Sequence, residues 1–113
     1  MITLYGIKNC DTVKKARKWL DTNDIAYHFH DYRSDGLDAE LLKKLEASLG
    51  WEVMLNKRST SWKQLNDSQK SDLTLIKVLA LMLETPTLIK RPILDSGESM
   101  LIGFNPDDYQ KLK

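Results

Sequence analysis

The sequence contains one cysteine, Cys10, and this is the side chain best suited to covalent chemistry. It stands between a short β-branched and aromatic run at residues 2–5 and a segment with helical spacing that starts at Asp11. Unpaired backbone N–H groups at the start of a helix favour a thiolate, and Lys8 and Lys14 add positive charge nearby. The position therefore predicts an activated nucleophile rather than a cysteine that only packs in the core.

No second thiol accompanies Cys10. The residue three positions after it is Val13, so the chain has no Cys-x-x-Cys dithiol. One cysteine also cannot form an internal disulfide or a cysteine zinc cluster. Any disulfide must join Cys10 to another molecule, and we expect a mixed disulfide with glutathione or with a protein thiol.

Two arginines are candidates for binding an anionic group. Arg58 lies in a polar stretch at residues 56–61, and Arg91 directly precedes Pro92. A guanidinium stays charged and forks onto an oxyanion or a carboxylate. Spacing alone does not show whether either loop reaches Cys10, and an arginine is usually a solvated surface charge.

Histidines and tryptophans in the chain have structural interpretations that we prefer. His28 and His30 share one face of a predicted strand, but no further ligand set accompanies them, so no metal is expected. Trp19, Trp51 and Trp62 are interspersed with leucines, which favours packing over stacking on bases.

Length and charge limit the classes of function. The 113 residues fit one domain spanning residues 1–113, and 17 basic against 16 acidic side chains give a net charge of +1. A general nucleic-acid binder needs a basic excess that this chain lacks. No apolar run is long enough for a signal peptide core or a membrane span, and a lone cysteine suits a reducing compartment. We therefore expect a cytoplasmic protein that does not bind membranes.

The N-terminal periodicity predicts a β-α-β unit. A strand is expected at residues 2–5, a helix at 11–20 and an alternating strand at 25–32. The side chain of Asp11 or Thr12 is expected to cap the helix.

The middle of the chain predicts helices. One is expected to be capped by Asp38 and ended by Gly50, and a short one lies around residues 62–65. Residues 72–84 are apolar on nearly every side, which predicts a helix buried on more than one face and ended by Pro86.

The C-terminal part predicts a β-hairpin from residues 93–94 and 100–104, followed by a helix with Pro106 at its first position. With a helical insertion at about 37–84, the order becomes β-α-β, helices, β-β-α. This predicts an α/β protein with a thioredoxin-like fold, in which helices flank a small mixed β-sheet.

Four blocks of the sequence carry a resemblance to a known family. The blocks are residues 4–16 (LYGIKNCDTVKKA), 56–59 (NKRS), 89–93 (IKRPI) and 102–106 (IGFNP). In this order they resemble the ArsC/Spx/YffB family, which comprises thioredoxin-like arsenate reductases and their relatives. The resemblance covers essentially the whole chain, and the short tail and the run NKRSTSW are most similar to the YffB branch, described as glutathione-dependent thiol reductases.

The resemblance implies a site. The family's nucleophile maps onto Cys10, its oxyanion-binding arginines map onto Arg58 and Arg91, and its cis-proline maps onto Pro92. The residues expected to bind substrate or glutathione are Lys8, Asn9, Asp11, Thr12, Arg58, Arg91 and Pro92. Glutathione is the expected co-substrate, with no tightly bound cofactor, and the substrate is expected to be a small anionic or thiol compound.

Three functions follow from the resemblance. The first is a glutathione-dependent monothiol reductase. The second is an adaptor or regulator like Spx that binds RNA polymerase or another protein, although Val13 removes the dithiol switch usual in that branch. The third is an arsenate reductase; that activity uses a third arginine near the last strand, and no arginine follows Arg91 here, so we expect it to be weak or absent.

Overall fold

The computed structural model describes all 113 residues, and its elements follow the order expected for a thioredoxin-like fold. The strands are β1 (Ile2–Gly6), β2 (Tyr27–Asp31), β3 (Ile93–Asp95) and β4 (Met100–Ile102). The helices are α1 (Asp11–Thr22), α2 (Ala39–Leu49), α3 (Trp51–Met54), α4 (Thr60–Lys63), α5 (Asp67–Lys70), α6 (Leu75–Glu84) and α7 (Pro106–Gln110), and a 3₁₀ turn (Pro86–Leu88) follows α6. The chain divides into two compact units, one formed by Met1–Gly36 with Arg91–Lys113 and the other by Leu37–Lys90.

The first unit is built on a four-stranded mixed sheet in the order β2-β1-β3-β4. Strand β1 runs parallel to β2 and antiparallel to β3, and β3 and β4 form the predicted hairpin. In β1, Leu4 pairs with Phe29 on one side and with Leu94 on the other. Leu4 and Leu94 are buried with Leu20 of α1 and Tyr109 of α7, so one face of the sheet and these two helices share a core.

A close approach joins the end of β1 to the first turn of α1. A Cβ atom added at Gly6 would lie 2.8 Å from Cγ2 of Val13, which is shorter than real Cβ contacts allow. Only glycine lets the strand pass this close to the helix. The loop between β1 and α1 is short, and it places Cys10 at the end of the sheet.

The cap of α1 differs from the expectation. The N-cap residue is Cys10 itself, with extended backbone angles and no side-chain capping bond. The prediction that Asp11 or Thr12 caps the helix was wrong, because both residues already lie inside its first turn. The helix also continues two residues past the expected end at residue 20.

The second unit is helical, and its first helix follows the prediction. The side chain of Asp38 accepts a hydrogen bond of 2.8 Å from the backbone N–H of Leu41, and Gly50 ends α2 with a φ of 83°. Residues 51–71 hold three short helices instead of one. Their side-chain caps set two of the starts, since Ser59 caps α4 and Asn66 caps α5.

Helix α6 is less buried than its sequence indicates. It begins after Thr74, and the expectation that it is buried on more than one face was wrong. Val78 and Met82 are fully buried, whereas the side chain of Ile76 is 82% exposed. The elements that pack on α6 are α2, α3 and the 3₁₀ turn, and they do not surround it. No helix of the protein is long and apolar enough to cross a membrane.

Candidate thiol site at the start of the first helix

Three hydrogen-bond donors converge on the thiol of Cys10. Because Cys10 is the N-cap residue, the free backbone N–H groups of the first turn of α1 point toward it. The backbone N–H groups of Thr12 and Val13 and the side chain of Arg91 are the groups that favour the charged form of the sulfur. Cys10 is only partly buried, so a reactant can reach this residue.

These donors favour the charged form of the sulfur. Partial burial raises the pKa of Cys10, but the backbone N–H groups of Val13 and Thr12 and the side chain and positive charge of Arg91 together lower this pKa by a larger amount. The net result is a pKa below the ordinary value of a cysteine. The cation that acts on the thiol is Arg91, whereas the sequence had suggested Lys8 and Lys14.

The sheet register explains why Arg91 reaches the thiol. Strand β3 runs antiparallel to β1, and Ile93 pairs with Tyr5 near the end of β1. The residues just before β3 therefore lie at the end of the sheet where β1 finishes and the Cys10 loop begins. Pro92 is buried, the Arg91–Pro92 peptide bond is cis as the family resemblance implies, and the carbonyl of Pro92 accepts a hydrogen bond of 2.8 Å from the N–H of Gly103.

Asp31 is a residue of this site that the sequence analysis did not identify. The residue is only 7% exposed, and its carboxylate accepts hydrogen bonds from the backbone N–H of Lys8 at 3.2 Å and of Arg33 at 2.8 Å. It thereby ties the loop that carries Cys10 to the end of β2. The signal was present, because Asp31 falls on the apolar face of an alternating strand, where a carboxylate must find partners.

Aromatic side chains pack next to this end of the sheet. The Tyr5 ring lies 5.1 Å from His30 and 6.3 Å from Tyr32, centroid to centroid. Burial raises the pKa of Tyr32, the neighbouring Tyr5 adds to the effect and the charge of Arg91 opposes it, so this phenol stays protonated. Nε2 of His30 lies 2.7 Å from the carbonyl oxygen of Gly36, which gives this histidine a structural partner.

The remaining predicted residues have different surroundings. Lys8, Asn9, Asp11 and Thr12 are exposed and flank Cys10 along the chain. Arg58 belongs to the Leu37–Lys90 unit, where it lies between α3 and α4 and its backbone N–H donates to Oδ1 of Asn56 at 3.1 Å. The role of Arg58 at the thiol stays a prediction.

The fold and the thiol together define a thioredoxin-like protein whose cysteine is the N-cap residue of its first helix. Residues 5–112 match the ArsC family, and the chain belongs to this family. It is therefore related to the arsenate reductases and to the Spx regulators.

Individual relatives agree with this assignment. An uncharacterized protein of Haemophilus influenzae is 53% identical over 110 residues, which is 97% of this chain and 96% of the relative. The solved structure of the protein named YFFB is 48% identical, with a TM-score of 0.93 over 98% of this chain and 97% of that chain. The global transcriptional regulator Spx of Streptococcus mutans is 33% identical over 97% of this chain and 81% of its own length.

The first prediction concerns the acidity of Cys10. The rate of alkylation by iodoacetamide, measured against pH, should have its midpoint below the ordinary value of a free cysteine, about 8.5. Arg91→Ala should raise the midpoint, because it removes a donor and a positive charge from the thiolate. Arg33→Ala is the matched control and should leave the midpoint unchanged. An unchanged midpoint in Arg91→Ala would contradict the assignment of Arg91.

The second prediction concerns the loop that Asp31 holds. Asp31→Ala should lower the free energy of unfolding by about 1–3 kcal/mol, because the backbone N–H groups of Lys8 and Arg33 lose a charged acceptor. Urea denaturation measures this loss, and amide hydrogen exchange should show reduced protection at Lys8. Glu98→Ala, an exposed carboxylate in the β3–β4 turn, serves as the control. Unchanged protection of the Lys8 amide would show that Asp31 does not hold the loop.

Proposed function

We propose that the protein is a glutathione-linked monothiol reductase with Cys10 as its nucleophile. The observation that carries the proposal is the hydrogen bond from Arg91 to a thiol of lowered pKa at the start of α1, in a chain with no second cysteine. A single thiolate can exchange with a disulfide but cannot resolve the product by itself. An external thiol must complete the cycle, and glutathione is the common cellular thiol of that kind.

The proposed reaction has two exchange steps. The Cys10 thiolate attacks the glutathione sulfur of a mixed disulfide between glutathione and a substrate thiol. The substrate leaves as its thiolate and takes up a proton from solvent, while Cys10 becomes bonded to glutathione. The thiolate of a second glutathione then attacks the glutathione sulfur of this adduct, which releases glutathione disulfide and restores the Cys10 thiolate. The second glutathione and the glutathione of the substrate together become the disulfide, so the electrons balance.

Arg91 has enough donors for two tasks in this reaction. A guanidinium carries five N–H donors, so it can stabilise the thiolate and also pair with a carboxylate. Glutathione has two carboxylates and one ammonium group. We assign one carboxylate to Arg91, with the exposed loop residues Lys8 and Asn9 beside the peptide.

The third prediction tests glutathione binding. A chemical-shift titration with glutathione should move the backbone resonances of Cys10, Thr12 and Arg91. Arg91→Ala should weaken binding by roughly tenfold, the effect of losing one charged hydrogen bond, whereas Arg33→Ala should bind like the wild type. Shifts confined to residues far from Cys10 would contradict the proposal.

The fourth prediction concerns arsenate. Arsenate brings negative charge next to a thiolate, and charge neutralisation by fixed donors is usually the largest catalytic contribution. No arginine follows Arg91, so the chain lacks the third arginine of the arsenate reductases, and losing one such donor typically costs about 10²–10³ in rate. Arsenate reduction coupled to glutathione should therefore be weak or absent, and efficient turnover by the wild type would show that the third arginine is not needed.

The second candidate function is that of an adaptor in transcription. It is favoured by the match to Spx regulators over nearly the whole of this chain. The fifth prediction separates the two functions with purified RNA polymerase. A reductase should show no binding that survives both Cys10→Ser and dithiothreitol, because any capture depends on thiol exchange. Binding that persists under both conditions would favour the adaptor.

A further inference from the structure

An open groove of about 330 Å³ lies between the later turns of α1 and the start of α7. Its apolar walls are the side chains of Trp19, Phe104 and Pro106. The remaining lining residues are Lys15, Lys18, Thr22 and Asn23. All of them belong to the unit that contains the sheet.

The walls of the groove are held by the core beneath them. The rings of Trp19 and Phe104 both pack edge-on against Tyr109, with centroid distances of 5.6 Å and 5.0 Å. Tyr109 is fully buried, and Nδ2 of Asn23 donates a hydrogen bond of 2.8 Å to the carbonyl of Trp19. The aromatic walls are therefore formed before any ligand arrives, which reduces the entropic cost of binding.

The rim of the groove carries positive charge. Lys15 and Lys18 are exposed, and the structure gives neither of them an acidic partner. Nζ of Lys113 lies 5.6 Å from the centroid of the Trp19 ring. Three acidic residues are adjacent along the chain to lining residues, namely Asp21, Asp24 and Asp107, and Asp21 lines a separate groove with Arg17 and Tyr27. The two lysines on α1 thus form a local basic edge in a chain of net charge +1.

We propose that this groove docks an acidic segment of a protein partner. An apolar side chain of the segment fills the space between Trp19 and Phe104, and flanking carboxylates pair with Lys15 and Lys18. Aromatic walls with a charged rim are the usual arrangement of a peptide-binding site, in which burial supplies affinity and charge supplies orientation. The groove and the thiol share α1, but docking needs no chemistry at Cys10, so the proposal stands apart from thiol exchange.

The charge pattern favours a protein segment over other anionic partners. A nucleic acid needs a stripe of basic residues that follows its phosphates, and an anionic membrane needs a cluster of about four to eight. Here the lysines flank a single apolar groove. This geometry matches one apolar anchor between acidic residues.

The test uses short synthetic peptides that carry a Phe-Leu pair flanked by glutamates, and a matched peptide with glutamines in their place. The acidic peptide should shift the indole resonance of Trp19 and the ring resonances of Phe104. Raising the salt concentration should weaken the binding of this peptide. The glutamine peptide should bind roughly tenfold more weakly. Cys10→Ser should bind like the wild type. Absence of a Trp19 shift at millimolar acidic peptide would overturn the proposal.

A charge-reversal pair localises the binding. Lys15→Glu/Lys18→Glu should lose at least tenfold in affinity for the acidic peptide, because both exposed contacts become repulsive. Lys43→Glu/Lys63→Glu changes the net charge equally in the Leu37–Lys90 unit and should bind like the wild type. Equal losses in the two variants would overturn the proposal in favour of a general charge effect. A single-stranded RNA or an anionic vesicle that moves the same resonances at lower concentration would also overturn it.

Discussion

The hydrogen bond from the Arg91 side chain to the thiol of Cys10 is the interaction on which the rest of the site depends. Partial burial by itself would raise the pKa of the sulfur, and the helix N–H groups of Val13 and Thr12 oppose that effect. Arg91 adds both a donor and a permanent charge. It does so because β3 lies antiparallel beside β1, which brings Arg91, two residues before β3, to the end of the sheet where α1 begins.

A buried carboxylate complements this cation on the other side of the loop. A free negative charge near the Cys10 thiol would oppose the ionisation of that thiol. The carboxylate of Asp31 instead accepts backbone N–H groups on both of its oxygens, so its charge is used to fix the chain. One charged residue thus positions the backbone before Cys10, and the other stabilises the sulfur. The two tasks are separate because Asp31 contacts N–H groups whereas Arg91 contacts the reacting atom.

The errors in the sequence analysis have physical causes. Helix α6 is apolar all round, but its neighbours are α2 and short elements that cover part of its surface, so Ile76 stays exposed. A pattern of apolar residues shows which side chains could be buried. It does not show how many neighbouring elements are available to cover them. The three helices of four residues are too short to show a period, and their starts depend on caps such as Ser59 and Asn66.

The sequence by itself determined the order of the elements, the junction of strand and helix at Cys10, the C-terminal hairpin and the stop at Gly50. These features depend on local periodicity and on turn chemistry, which neighbouring residues carry. Only the tertiary structure decided that Arg91 meets the thiol, that Asp31 holds its loop and that Trp19 and Phe104 form a groove. Each of these needs segments far apart in the chain to pack together, and strand pairing with core packing, rather than local spacing, fixes which segments meet.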